Sequence, residues 1–342
     1  MPARRRHALG DISVLYLHVM ARAVADLGHD IAPDFEQFGI GETLLQTPEA
    51  RISIPRFMRL GHAAIRRTGH PNLGLSMGAL NRPVDAGLSG LAGMSAATAG
   101  EGLATIIAYS LLNSRNSRGH PHYDAVRHRA CFYSIRPYNR YNFFVVDSVM
   151  AGWTQFLRRM TAQDAVLEHV CIEYPDQGER AAFEAWFQCP VTFGARENHL
   201  QIRPEIAATP SLEAHPAMHR ALRQQCEAQL KRIRGGWTVM DQVREKLTPM
   251  LDGQSPSLEE VAAELGMAPW TLQRQLNAEQ TRFKDLLDET RRDLAADYVL
   301  ETRLNVAEIA WLLGFSGPPA FHKAYRRWFG MSPGQHRRPA QP

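Results

Sequence analysis

Residues 257–276 read SLEEVAAELGMAPWTLQRQL, and residues 305–330 read NVAEIAWLLGFSGPPAFHKAYRRWFG. At an offset of 48, Leu258, Val261, Ala262, Leu265 and Gly266 fall on Val306, Ile309, Ala310, Leu313 and Gly314. Apolar residues three and four apart mark one face of a helix. Ser257 with Glu260, and Asn305 with Glu308, are helix-start signals: a side-chain oxygen accepts from an orphan first-turn amide while a carboxylate reaches back. Each run ends in a glycine, which tolerates the positive φ of a tight turn between helices. A second helix follows each glycine, with Leu272 and Leu276 inward in the first copy and Phe321, Tyr325 and Trp328 inward in the second. The reading is two helix-turn-helix units, 258–279 and 306–329, each with a small alanine, Ala262 or Ala310, where its second helix crosses.

Between the copies, Phe283 to Thr302 predicts a helix packing through Phe283, Leu286, Leu287, Leu294 and Tyr298. About 20 residues at 1.5 Å each make roughly 30 Å. A turn of duplex DNA is about 34 Å, so such a spacer can seat two reading helices in successive major grooves. One copy alone is as readily a helical hairpin that binds nothing; the repetition weighs against that. In the first reading helix Trp270, Gln273 and Arg274 share a face opposite the inward leucines. Arginine can pair with guanine, glutamine with adenine, and an apolar ring can lie on a thymine methyl. The second reading helix opens with Pro318 and Pro319, suited to a helix start, and turns His322, Lys323, Arg326 and Arg327 outward. From Gly317 to Arg338 there are five Lys or Arg residues and no acidic one, a footprint for phosphates. Ser257 to Arg338 as a whole balances 11 basic against 11 acidic residues, so modest nonspecific affinity is expected.

At 342 residues the chain has the length of two domains, each able to bury a core without staples. Cys131, Cys171, Cys189 and Cys226 stand too far apart for a C-x-x-C pair and read as reduced thiols in a cytoplasmic protein. Arg4, Arg5 and Arg6 loosely imitate a secretory leader, but Asp11 and His18 interrupt the apolar stretch. Ile12, Leu15, Tyr16, Val19, Met20, Ala23 and Leu27 instead recur at helical spacing. The chain holds no apolar run of the length a membrane span needs, so no membrane partner is expected. A net charge of +4 is compatible with nucleic acid without arguing for it.

From about residue 10 to 118 the pattern is largely helical, with Thr98 and Glu101 as a capping box. From about 129 to 203 the period changes. Ala130 to Ile135, Asn142 to Val149, Val166 to Tyr174, Val191 to Phe193 and Leu200 to Ile202 read as strands, with helical patches at about 148–161 and 178–188. The expected fold is thus an α+β N-terminal sensor domain, 1–210, a connector helix, 211–240, and an all-α C-terminal domain, 241–342. The connector places Leu222, Cys226, Leu230 and Ile233 on one face; whether it forms a homodimer or packs between domains stays open.

The segments PSLEEVAAELGMAPWTLQRQL and AEIAWLLGFSGPPAFHKAYRRWFGMSPGQHR resemble the AraC/XylS family of transcription regulators, over roughly residues 250 to 338. That resemblance implies base contact by Trp270, Gln273 and Arg274, and by Pro319, Ala320, His322 and Lys323. The family usually carries an acidic residue and a serine where this chain has Gly317 and Pro319. The first ~200 residues look similar to the family's arabinose-binding-type sensor, of a length expected for one domain. The resemblance, which extends to ornithine-utilisation regulators, implies an activator gated by a small-molecule effector such as an amino acid, with promoter DNA and RNA polymerase as partners.

Other functions find weaker support. His120, His122 and His128 lie in a polar turn region without acidic or thiol residues at ligand spacing, and no metal is expected. Gly87 to Gly93, GLSGLAG, lacks the lysine of a phosphate loop and reads as close helix packing, so no cofactor is implied. The remaining alternative to a DNA-binding regulator is a helical-repeat adaptor that binds proteins.

Overall fold

The computed structural model describes residues 10–47, 49–116, 119–234, 238–251, 253–302 and 304–337; Arg4, Arg5, Arg6 and Arg338 lie outside them. Contacts divide the chain into two units, the first comprising Asp11–Asn116 and His120–Arg232, the second built on the residues from Ile233 onward. The division falls within 211–240, the stretch read as a connector.

The first unit holds two sheets. Strands β1 (Gly10–Ser13), β2 (Arg51–Ser53) and β3 (Ser114–Asn116) form one in the order β2-β1-β3. Strands β4 (His122–Asp124), β5 (Arg129–Phe132), β6 (Leu167–Ile172), β7 (Val191–Phe193) and β8 (Asn198–Ile202) form the other in the order β4-β5-β8-β6-β7. In the larger sheet only β6 and β7 run parallel. Alternate residues Val170 and Ile172, and Leu200 and Ile202, are buried on one face, the period of two that strands impose.

Two expectations are corrected here. Asn142 to Val149 is not a strand: Phe143–Thr161 is one continuous helix. The run Phe143-Phe144-Val145-Val146 favours strands locally, yet a short apolar run cannot be told from buried helix by periodicity. Phe144, Val146, Met150, Ala151, Leu157 and Met160 are all buried along the helix, so tertiary packing outweighs propensity. Against it lies the helix Leu73–Ala79, so near that a Cβ on Gly78 would stand 2.1 Å from the Ala151 Cβ. Nor is Ile12 helical: it lies in β1, and the first amphipathic helix begins at Leu15.

The helix Pro216–Arg234 belongs to this first unit as far as Arg232. Cys226 and Leu230 bury against Ala92, Tyr109 and Leu111, with Leu222 partly buried beside them. The Tyr109 hydroxyl donates to Glu227, and His219 Nδ1 lies 2.8 Å from the Ala92 carbonyl. Burial pushes the Cys226 thiol up to about 11. The glycine run joins the same packing as the helix Gly87–Met94, with a Cβ on Gly93 placed 2.8 Å from the Gly102 carbonyl.

Candidate nucleic-acid interface

From Ile233 onward the regular elements among the described residues are all helices, and the two copies are built alike. In the first, Ser257 Oγ accepts from the Glu260 amide at 3.2 Å and Glu260 accepts from the Ser257 amide at 2.7 Å, starting the helix Leu258–Glu264. The Ser257 amide and hydroxyl, both donating to it, hold the Glu260 carboxyl below its ordinary value. In the second, Asn305 Oδ1 accepts from the Glu308 amide at 2.9 Å and Glu308 accepts from the Asn305 amide at 2.7 Å, starting Val306–Leu312. The expected Thr98 cap also forms in the first unit, but there Glu101 reaches the Ala97 amide instead of that of Thr98.

Both turns pivot on glycine at φ 65°. Gly266 meets nothing within 4 Å of a built Cβ, whereas one on Gly314 would lie 2.0 Å from the Gln254 carbonyl oxygen. The reading helices follow as Pro269–Ala278 and Pro318–Phe329. Leu272 and Leu276 are buried in the first, Phe321 and Tyr325 in the second. Trp328, expected inward, is half-buried, and its indole Nε1 donates to Asp288 at 2.8 Å. Burial pushes the Tyr325 hydroxyl up to about 12, where it pairs with His336 Nδ1 at 2.7 Å.

The spacer helix is Phe283–Glu301, 19 residues, with Leu286, Leu287, Leu294 and Tyr298 buried as its period demands. Arg291, one turn beyond Leu287, reaches into the second copy. Its Nε donates to the Leu313 carbonyl at 2.8 Å and its Nη2 to the Gly314 carbonyl at 3.0 Å, while its guanidinium lies 5.0 Å from the Phe315 ring. Burial lowers the Arg291 pKa and nearby Asp288 opposes that. Glu279, at the end of the first reading helix, accepts from the Val239 and Met240 amides at 2.7 and 2.9 Å, capping the helix Val239–Met250. Side chain to main chain bonds thus tie the spacer to the second turn through Arg291, and the first reading helix to the helix Val239–Met250 through Glu279.

Trp270 is 65% exposed, and Gln273 and Arg274 beside it are exposed as well. The Arg274 guanidinium lies 5.4 Å from the Trp270 ring centroid, which steadies a long side chain without burying it. These three share the outward face of their helix. On the second reading helix Pro319, Lys323, Arg326 and Arg327 are exposed, and Ala320 and His322 half-buried. Arg327 is ion-paired with Asp288, and among the described residues Lys323 and Arg326 carry no ion pair. The Asp288 and Arg291 contacts were not legible in sequence, because their partners lie 22 to 40 residues further along the chain.

Two buried carboxylates in the first unit likewise escaped the sequence. Glu173 accepts from Arg136, Tyr138 and Asn198, and Asp147 accepts from the Tyr174 hydroxyl. Burial pushes the Asp147 carboxyl up to about 8 despite that bond. No group of three or more His, Cys, Asp or Glu able to hold a metal occurs among the described residues, where His122 stacks on Tyr133. Among the same residues no helix is long and apolar enough to cross a membrane.

Comparison with known proteins places this geometry in a family. Residues 28–211 match the arabinose-binding domain of AraC transcription regulators, N-terminal, and residues 261–339 match a helix-turn-helix domain. The chain belongs to the AraC family of DNA-binding transcription regulators and is not an enzyme. That displaces the alternative of an adaptor without DNA. The ornithine utilization regulator of Pseudomonas aeruginosa is 26% identical over 326 residues, 95% of this chain and 96% of that one. The regulator VirS of Mycobacterium tuberculosis is 28% identical over 91% of this chain and 92% of its own length. Among solved structures, the transcriptional regulator CdpR from Pseudomonas aeruginosa aligns over 90% of this chain and 96% of its own at 21% identity, with a TM-score of 0.42.

Proposed function

We propose that the chain is an activator whose N-terminal domain, 1–210, binds a small amino acid such as ornithine or a relative, and whose C-terminal domain, 241–342, then engages a promoter. Trp270, Gln273 and Arg274 contact base edges. Pro319, Ala320, His322, Lys323, Arg326 and Arg327 face the neighbouring groove, with RNA polymerase as the further partner. The observation that carries this reading is the exposed, stacked Trp270–Arg274 pair on a helix whose other face is buried in a doubled, cross-clamped scaffold. Likeness to an ornithine utilization regulator over nearly the whole chain supports the amino-acid class of effector. Gating requires the effector to bind two states of the chain with different affinity, and promoter DNA then changes effector affinity by the same factor.

The test is the affinity of the full-length chain for its own promoter region, and transcription from it, with and without ornithine and related amino acids. Arg274→Ala is expected to relax base preference at one position, costing about 1–3 kcal/mol. Lys323→Ala is expected to weaken all sequences evenly. Affinity and transcription indifferent to every amino acid supplied would overturn the gating, and equal small losses from both variants would overturn base reading by the first helix.

A further inference from the structure

The two reading helices are built alike but do not offer a duplex the same chemistry. Counted from their first residues, Pro269 and Pro318, the outward positions carry Trp270, Gln273 and Arg274 in one and Pro319, His322 and Lys323 in the other. Glutamine and arginine present paired donors or acceptors that fit a base edge in two bonds; lysine is a point charge and proline offers nothing. His322 is half-buried, its ring 6.4 Å from that of Phe321.

The main chain repeats the contrast. Pro318 and Pro319 occupy the first two helical positions and carry no amide hydrogen, and the Phe321 amide donates to the Gly317 carbonyl at 3.2 Å. That leaves the amides of Ala320 and of the N-cap Gly317, which has no side chain to add. Past that turn the exposed groups are the cations Lys323 and Arg326, one helical turn apart, while Arg327 is held by Asp288. Isolated cations on an exposed helix suit phosphates, which carry no sequence information.

We propose that the two helices divide the work. Trp270, Gln273 and Arg274 set base preference, and the helix from Pro318 grips the backbone of the next groove without selecting bases, Pro319 being the residue that keeps it unselective. This rests on the DNA reading above and specifies how each half of that surface is used. The recognised sequence is accordingly one short window flanked, a helical turn away, by a tolerant one.

Selection of random duplexes by the full-length chain tests this. Wild type is expected to enrich bases in a single window. Arg274→Ala flattens that window, and Lys323→Ala weakens every sequence alike while lowering the slope of log affinity against log salt by about 1. Pro319→Asn, at an exposed position where loss of proline leaves the fold intact by thermal melting, adds a preference for adenine about 10 base pairs from the first window. Two equally selective windows from wild type, or a Pro319→Asn profile identical to wild type, would overturn the proposal. Absence of salt-dependent binding to any duplex would instead overturn the DNA reading beneath it.

Discussion

Replacing Arg291 by alanine removes a side chain that hydrogen-bonds the spacer helix to the turn of the second helix-turn-helix. Two hydrogen bonds from its guanidinium, at 2.8 and 3.0 Å, reach the Leu313 and Gly314 carbonyls, and the cation lies 5.0 Å from the Phe315 ring. A hydrogen bond to a charged group contributes about 1.5–3 kcal/mol, and a partly exposed cation–ring contact about 0.5–1 kcal/mol. Partial hydration of the freed carbonyls offsets some of that sum, so the expected cost is about 2–4 kcal/mol. The loss is local to residues 306–329. Where amide exchange proceeds through local opening, those amides should exchange about 30- to 1,000-fold faster in the intact chain. Residues 258–279 serve as the internal control. Arg291→Lys keeps the charge but offers a single point of donation, so it should recover less than half of the protection. Unchanged exchange over 306–329, or equal acceleration in both copies, would refute the clamp.

Two further outcomes follow from the geometry. Gly314→Ala combines a positive φ with a Cβ 2.0 Å from the Gln254 carbonyl, whereas Gly266→Ala meets only the positive φ. The second should cost about 1–2 kcal/mol and the first distinctly more, read as unfolding of the intact chain in denaturant; equal losses would contradict the close approach. In the first unit, the Asp147 carboxyl titrates at about 8 when folded, above its ordinary value near 3.8. The folded state then binds more protons between those values, so this group lowers stability as pH rises through the window. Asp147→Asn should therefore gain on wild type by up to about 1.4 kcal/mol per pH unit between pH 5 and 7. Stability curves that stay parallel over that range would exclude the buried titration.

Local sequence determined much of the second unit. Its two helix starts need only Ser257 with Glu260 and Asn305 with Glu308, and its turns only Gly266 and Gly314, because caps and positive φ are satisfied within a few residues of themselves. The period of the buried leucines and aromatics supplied the packing face of each helix. What tertiary structure alone decided is of another kind. Phe143 to Val149 became helix because burial on the Leu73–Ala79 helix outweighs the strand preference of valine and phenylalanine. Arg291 and Asp288, indistinguishable in sequence from solvated charges, became clamps because folding brings the turn at Gly314 and the side chains of Arg327 and Trp328 beside them. Asp147 meets Tyr174 across 27 residues, a contact no short-range pattern encodes. Periodicity reports which face of an element is apolar; which polar groups meet across elements depends on the path of the whole chain.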